Sequence, residues 1–493
     1  MGSQSQHEHE IEKGHVVLFP FMAKGHTIPL LNLSRIFLAQ GLAVTVFTTP
    51  ANRTFIHQSL PAAANVVHIS FPQNIVPGIP AGVESTDKLP SMDLFFSFAL
   101  STIHMQPDFE RALQTLPRVS FMVSDCFLWW TVDSAAKFGF PRFVFSGFGS
   151  YASSLSRVVA VSRLLDGADS DTELVTVTRF PWIKVTKKDF NQSTITDGVQ
   201  HASSEFMMKT SESTARSYGM IVNSFYELEA VFVECWNTEY LPKAWCVGPF
   251  FKLAQDEPHD RDEKAIWIEW LDKKLEEGGR VLYVAFGSQA ELSAEQLQEI
   301  ALGLENSMVH FMWVIRSKSY APETAAWDIK GFEERVKGRG MVVNEWVDQR
   351  RILMHGSVHG FVSHCGWNSV LESICSGVPI LAWPIMAEQP LNARFVVEEI
   401  KVGLRVETCD GSVKGFVKAE GLEKTVKELM VGDKGEEVRK RVKEFADMAD
   451  KAVKEGGSSW STLQLLIDEA TLANKNLDNQ SGGFERFHSN EKW

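Results

Sequence analysis

From Gly14 to about Ala473 this chain alternates short β-branched and aromatic runs with amphipathic helical stretches, and few architectures accommodate that rhythm. In the first half the runs are HVVLFPF (15–21), LAVTVFT (42–48), VVHISF (66–71), VSFMVSD (119–125), PRFVFS (141–146) and GMIVNS (219–224). Helical patterns such as IPLLNLSRIFLAQ (28–40) and SYASSLSRVVAVSRLL (150–165) lie between them. Strands that are apolar almost throughout, rather than at every second residue, are covered on both faces, which predicts a parallel, doubly wound α/β sheet.

The rhythm breaks at FFKLAQDEPHDRDEK (250–264), a charged stretch with a proline. It restarts with RVLYVAFGS (280–288), HFMWVIR (310–316), GMVVNEW (340–346), HGFVSH (359–364) and PILAWP (379–384). A chain of 493 residues is too long for one core. The reading is one α/β architecture used twice: a first domain over 14–249, a linker over 250–265, a second domain over 266–457 and a last helix over 458–473. A cleft is expected between the two, with ligands outside the carboxyl ends of the strands. The tail beyond about Lys475 lacks an apolar period and reads as disordered.

Charge and cysteine content narrow the partners. A formal charge of −13 argues against nucleic acid or an anionic membrane as the main partner. The six cysteines (Cys126, Cys235, Cys246, Cys365, Cys375, Cys409) are scattered, which suits reduced thiols better than a disulfide framework or a zinc site. The first fourteen residues are polar and charged, unlike a signal peptide. No run approaches the roughly 18 apolar residues of a membrane span. A cytoplasmic, monomeric protein is expected.

Three strand ends carry chemistry-bearing residues. His26 follows the first strand, and Gly25 and Pro29 suit a sharp turn into a helix. Taken alone, such a histidine is more often a half-exposed residue beside a helix start. Asp125 ends the fourth strand, where a buried carboxylate is costly unless paired, although it would also serve as an N-cap. Strands one and four of a doubly wound sheet can be neighbours at the switch point, which would place the two side by side as a base and its orienting carboxylate. In the second half, GFVSHCGWNSVLESICSGVP takes a strand into a turn at Gly366 and a helix beginning at Trp367-Asn368-Ser369, an anion site in which His364 adds a donor. Glu372, one turn further on, can accept the two hydroxyls of a ribose, and Trp346 can stack on a flat base.

Two weaker signals compete. Gly147-Phe148-Gly149-Ser150-Tyr151-Ala152 fits the GxGxxA dinucleotide fingerprint, but its acidic follower, Asp166, falls in the polar run LLDGADSDTE. Asp169-Ser170-Asp171 in that run resembles a metal-binding DxD, and reads as a solvated acidic turn. The aromatic pairs Phe95-Phe96 and Trp129-Trp130 are candidates for an acceptor pocket, although such pairs are more often core.

From Trp346 to Gln389 the sequence resembles the nucleotide-sugar signature box of plant family 1 UDP-glycosyltransferases. The match includes Trp346, Gln349, His364-Cys365-Gly366-Trp367-Asn368-Ser369, Glu372, Gly377-Val378-Pro379, Trp383-Pro384 and Glu388-Gln389, and the similarity extends over roughly 14–473. The resemblance implies the GT-B fold, with two facing Rossmann-like domains, the acceptor mainly in the first and UDP-sugar mainly in the second. It further implies that Trp346 stacks on uracil and that Gln349 and Glu372 bind ribose. Ser288, in the FGS turn, would join His364, Asn368 and Ser369 at the diphosphate, while Trp367, Glu388 and Gln389 hold the sugar. His26 would be the base and Asp125 its partner in an inverting, metal-independent transfer of glucose from UDP-glucose to a small apolar acceptor such as a flavonoid or other plant phenolic. The helix over 458–473 would cross back to the first domain. Three departures stand out: Val347-Asp348 replaces the usual Ala-Pro, Glu388 replaces the usual Asp, and Gly147 stands where a hydroxyl side chain is common, a sugar contact that is then either missing or supplied by Ser146. Neither the acceptor's identity nor the choice between oxygen and carbon as its reacting atom is written in the residues.

Overall fold

The computed structural model describes residues 14–190, 197–254, 265–315, 328–413 and 415–479. The initial stretch read as lacking a signal peptide, most of the expected linker and the end of the polar tail lie outside these residues. Fifteen strands are described: β1 (His15–Phe19), β2 (Ala43–Thr48), β3 (Asn65–His68), β4 (Phe121–Asp125), β5 (Arg142–Ser146), β6 (Val175–Val177), β7 (Phe180–Val185), β8 (Gly219–Val222), β9 (Ala244–Cys246), β10 (Val281–Ala285), β11 (His310–Val314), β12 (Gly340–Val343), β13 (Val358–Ser363), β14 (Ile380–Ala382) and β15 (Gly403–Arg405). Each run expected as a strand is one. The ribbon β6–β7 and the strands β9 and β15 were not anticipated; β6, β9 and β15 have three residues each, too few to carry a periodic signal.

One sheet has the order β3-β2-β1-β4-β5-β8-β9 and a second the order β12-β11-β10-β13-β14-β15. The second sheet is parallel throughout, and its order is the 3-2-1-4-5-6 of a doubly wound nucleotide-binding fold. In the first sheet β3, β2, β1, β4 and β5 repeat the same order with parallel pairings. Each sheet therefore has a switch point where the winding reverses, between β1 and β4 and between β10 and β13.

By contact the chain forms two compact units. One runs to Phe145 and includes Ala202–Ile221 and the chain from Leu463, and the other comprises Ser146–His201 and Val222–Thr462. Within the first, Gln464 of the last helix donates to Gln40 Oε1 at 3.1 Å. Burial explains the strand composition: Val16, Val17, Leu18 and Phe19 of β1 and Leu282 and Val284 of β10 have no exposed surface.

Candidate active site

At the first switch point β1 and β4 pair directly, with Phe19 opposite Ser124. The helix after β1 begins at Lys24, earlier than the turn expected at Gly25, and Pro29 falls in its second turn. The Ala23 carbonyl starts it by accepting from the N–H groups of His26 (2.9 Å) and Thr27 (2.8 Å), which puts His26 in the first turn. His26 Nδ1–H donates to Asp125 Oδ2 at 2.7 Å, the histidine side chain 16% exposed and the aspartate fully buried. A carboxylate at that distance only accepts, so the basic lone pair of the neutral ring lies on Nε2. The other oxygen, Oδ1, accepts from Phe127 N–H at 2.9 Å, so Asp125 both closes the turn after its strand and orients the imidazole.

Phenyl rings surround the pair. His26 lies 4.7 Å from Phe127 and 5.8 Å from Phe21, centroid to centroid. Phe127 in turn meets Phe95 at 5.8 Å and Phe206 at 5.1 Å. The two aromatic pairs thus divide: Phe95 joins this wall, whereas Trp130 is fully buried and donates to Thr102 Oγ1 at 3.1 Å. Phe206 was not anticipated; its helix, Asp197–Ala215, lacks a clear apolar stripe.

At the second switch point β10 and β13 pair with Ala285 opposite Ser363, bringing the turns after them together. Gly287 has φ +78°, and a Cβ there would lie 2.7 Å from His364 Nε2; one at Gly366 would lie 2.6 Å from the same atom. Only glycine fits on both sides of the imidazole, which is held between the turn carrying Ser288 and the turn opening the helix Trp367–Cys375. That helix has Gly366 at its N-cap, no side-chain cap and no acidic residue in its first turn, so its leading N–H groups suit an anion. Asn392 Nδ2 donates to the Cys365 carbonyl at 2.9 Å and pins the turn. Burial pushes the Cys365 thiol up to about 12, so it is inert packing rather than a nucleophile.

Beside the helix, Gln349 Nε2 donates to Ser369 Oγ at 2.9 Å and to Glu372 Oε2 at 2.7 Å. Three expected donor-site residues from separate parts of the box thus form one network. Desolvation pushes the Glu372 carboxyl up to about 7, against the opposing hydrogen bond from Gln349. Asp348 caps the helix Gln349–Leu353, accepting from the N–H groups of Arg350 and Arg351 at 3.1 and 3.3 Å. Its departure from Ala-Pro therefore has a local use. Trp346 is 65% exposed, an open face for stacking.

The expected sugar contacts are differently disposed. Gln389 Oε1 accepts from the N–H groups of Ile385 and Met386, both at 2.9 Å, so the group it can offer a hydroxyl is its Nε2. Glu388 Oε1 accepts from Asn392 Nδ2 at 3.3 Å. The Trp367 indole is 2% exposed and its Nε1 donates to the Asn223 carbonyl at 2.9 Å, so what this residue can present to a ligand is its main chain. Ser146 Oγ lies 3.3 Å from both N and O of Phe148.

The GxGxxA stretch has a different use. A Cβ at Gly149 would lie 2.8 Å from Glu229 Oε1 and 2.9 Å from the Trp367 ring. Glu229 Oε1 accepts from Tyr151 N–H at 2.7 Å at the start of the helix Ser150–Ser162. A protein carboxylate therefore sits where a dinucleotide would place its pyrophosphate. Asp169 and Asp171 are exposed on turns, and among the described residues no cluster of three His, Cys, Asp or Glu side chains is placed to hold a metal. Among the same residues no helix is long and apolar enough to cross a membrane.

Residues 231–438 match the family model described as UDP-glucoronosyl and UDP-glucosyl transferase. The chain is 53% identical to UDP-glycosyltransferase 90A1 of Arabidopsis thaliana, over 95% of this chain and 97% of that one. It is 35% identical to a scopoletin glucosyltransferase of Nicotiana tabacum, over 92% and 97% of the two chains. Among solved structures, Glycyrrhiza uralensis UGT73P12, complexed with glycyrrhetinic acid 3-O-monoglucuronide, aligns with a TM-score of 0.83 at 31% identity, over 95% of this chain and 97% of that one. Phytolacca americana UGT2, complexed with UDP-2fluoro-glucose and pterostilbene, aligns at 0.75 with 28% identity, over 93% and 100%. With two Rossmann-like sheets, a histidine–aspartate pair at one switch point and an anion-ready helix at the other, this chain belongs to the plant UDP-glycosyltransferases, GT-B enzymes that transfer a sugar from a UDP-sugar to a small acceptor.

Proposed function

We propose that the protein transfers glucose from UDP-glucose to the hydroxyl of an apolar phenolic acceptor of the flavonoid type, with inversion and without a metal. The observation that carries this reading is the His26–Asp125 pair, bonded at 2.7 Å and walled by phenyl rings. A phenol lies flat against such rings and puts its hydroxyl at an imidazole whose basic nitrogen is Nε2. The O–H proton passes to Nε2 as the oxygen attacks the anomeric carbon. The bond from that carbon to UDP breaks on the opposite face, its electron pair leaves with the diphosphate, and an α-linked donor gives a β-glucoside. Relatives named for scopoletin and for a flavonoid 3-hydroxyl, and a neighbour complexed with pterostilbene, favour a planar phenolic.

In this reading Trp346 stacks on uracil while Gln349 and Glu372 take the ribose hydroxyls. Ser288, His364, Asn368, Ser369 and the leading N–H groups of the helix Trp367–Cys375 take the diphosphate, and Glu388 and Gln389 hold the sugar. The test is incubation with UDP-glucose and a panel of phenols, read by mass spectrometry. We expect a single-hexose adduct and a preference for UDP-glucose over UDP-galactose. A mismatched epimer leaves Gln389 Nε2 unpaired at a cost of about 1–3 kcal/mol, so Gln389→Ala should weaken the preference. Absence of any adduct across the panel would refute the acceptor class, and an unchanged preference the role of Gln389.

Glu372 makes donor binding depend on pH. Its carboxyl, pushed up to about 7 by burial, is largely protonated in acid and must ionise to accept two ribose hydroxyls. A carboxyl raised this way favours the empty fold at low pH and is charged at a cost as pH rises through 7, so ribose binding is linked to loss of a proton. UDP-glucose affinity should fall as pH is lowered from 8 to 5.5, by up to about tenfold per unit. The comparison is with Glu372→Gln, which should bind weakly and lose the acid decline. Calorimetric affinities with the same pH slope in both proteins would exclude this role.

A further inference from the structure

Trp367 is the first residue of the helix whose N–H groups are proposed to meet the diphosphate, yet its side chain is built into the protein. The indole is 2% exposed, and Nε1 donates to the Asn223 carbonyl at 2.9 Å. Asn223 is itself held, its Oδ1 accepting from Phe250 N–H at 2.9 Å. On another side the ring lies against Gly149, where an added Cβ would approach Cζ2 and Cη2 to 2.9 Å. Gly149 precedes the helix Ser150–Ser162, whose start is fixed by Glu229 through the bond to Tyr151 N–H. Glu229 reaches that point because its own helix, Tyr226–Glu239, breaks there, with φ −132° and ψ 24°.

We infer that Trp367 is a positioning residue for the donor site, a strut whose indole, held between the Asn223 carbonyl and Gly149, sets the pose of the helix Trp367–Cys375. This inference rests on the donor reading given above. Binding constellations must be held within about 0.5 Å of their working geometry, and a nine-residue helix tethered at its first residue carries Asn368, Ser369 and its leading N–H groups as one body. The role differs from that of a sugar contact, because it acts on every ligand that carries the diphosphate.

The test is calorimetry of UDP and of UDP-glucose with the wild type, Trp367→Phe and Gly149→Ala, with steady-state kinetics alongside. Removing the Nε1 bond and shrinking the ring should weaken both ligands by the same factor, about tenfold. Gly149→Ala, which pushes on the ring from outside the signature box, should weaken both in the same direction. KM for UDP-glucose should rise while KM for the acceptor stays put, a split that general loosening of the fold would not produce. If Trp367→Phe binds UDP like the wild type and loses only UDP-glucose, the indole is a sugar contact and the strut is wrong; unchanged affinity for both ligands also overturns it. Should Trp367→Phe not fold, Gly149→Ala decides on the same criteria. Failure of the wild type to bind UDP would instead refute the donor reading.

Discussion

His26→Ala should lower turnover by about 10²–10⁴-fold, the usual contribution of a positioned general base. A phenol is a poor nucleophile until its proton leaves, and His26 is oriented for that proton by the 2.7 Å bond from Nδ1–H to Asp125 Oδ2. UDP affinity should change little, because the residues proposed to bind UDP are drawn from other parts of the chain. Asp125→Asn should cost no more than His26→Ala, and the double variant little more than the worse single, since the two act as one unit. The asparagine version is preferred to alanine because Asp125 Oδ1 also holds Phe127 N–H at 2.9 Å, a bond an amide oxygen can keep. Acidic phenols, already partly ionised, should lose less than weakly acidic ones. Near-normal turnover of a weakly acidic acceptor by His26→Ala would end the base assignment.

Arg142→Met should destabilise the unit that carries this pair by about 2–4 kcal/mol, because it strips a charged donor from several buried oxygens and hydrogen bonds to charged groups are worth about 1.5–3 kcal/mol. Arg142 is 2% exposed, and burial lowers its guanidinium to about 10, still a cation at neutral pH. Its Nε donates to Ser124 Oγ at 2.7 Å, and Nη2 to the Asp125 carbonyl at 3.3 Å. Nη1 donates to Ser213 Oγ at 2.9 Å and Ser217 Oγ at 2.6 Å, so the same side chain ties the end of β4 to the end of the helix that carries Phe206. Methionine keeps the volume but leaves those oxygens buried without their donor. Lysine cannot reproduce the planar fork and should recover only part of the loss. Denaturant titration checks both variants, and a loss below about 1 kcal/mol, the scale of one ordinary hydrogen bond, would show that the network is not a support.

The place of the dyad was legible because it depends on sheet order alone. Apolar runs mark the strands, two residues of complementary chemistry stand at the ends of the first and fourth, and a doubly wound sheet can make those strands neighbours. The turn from β13 into the helix Trp367–Cys375 was legible for a similar reason: a glycine between an apolar run and a helical pattern marks the passage whatever surrounds it. Ser369 and Glu372 were read from the turn and helix themselves and Gln349 from the resemblance, but their joining in one network is a tertiary fact.

What the sequence left open turns on which distant group fills a given space. The resemblance makes Trp367 a sugar contact, yet the packing at Gly149 and the Asn223 carbonyl draw its indole into the protein. The glycines at 147 and 149 fit a dinucleotide fingerprint that lacks its acidic follower, and only the break in a helix many residues later brings the Glu229 carboxylate to that helix start. Arg142 in PRFVFS and Glu229 in YELEAVFVECW were visible as charges inside apolar runs, a signal that something must pair them, but not what. Periodicity is a property of one element and fixes which of its faces is buried. The partner of a buried charge, and the direction of a side chain at a helix end, are set by whichever other elements the fold brings there, and that only the tertiary structure decided.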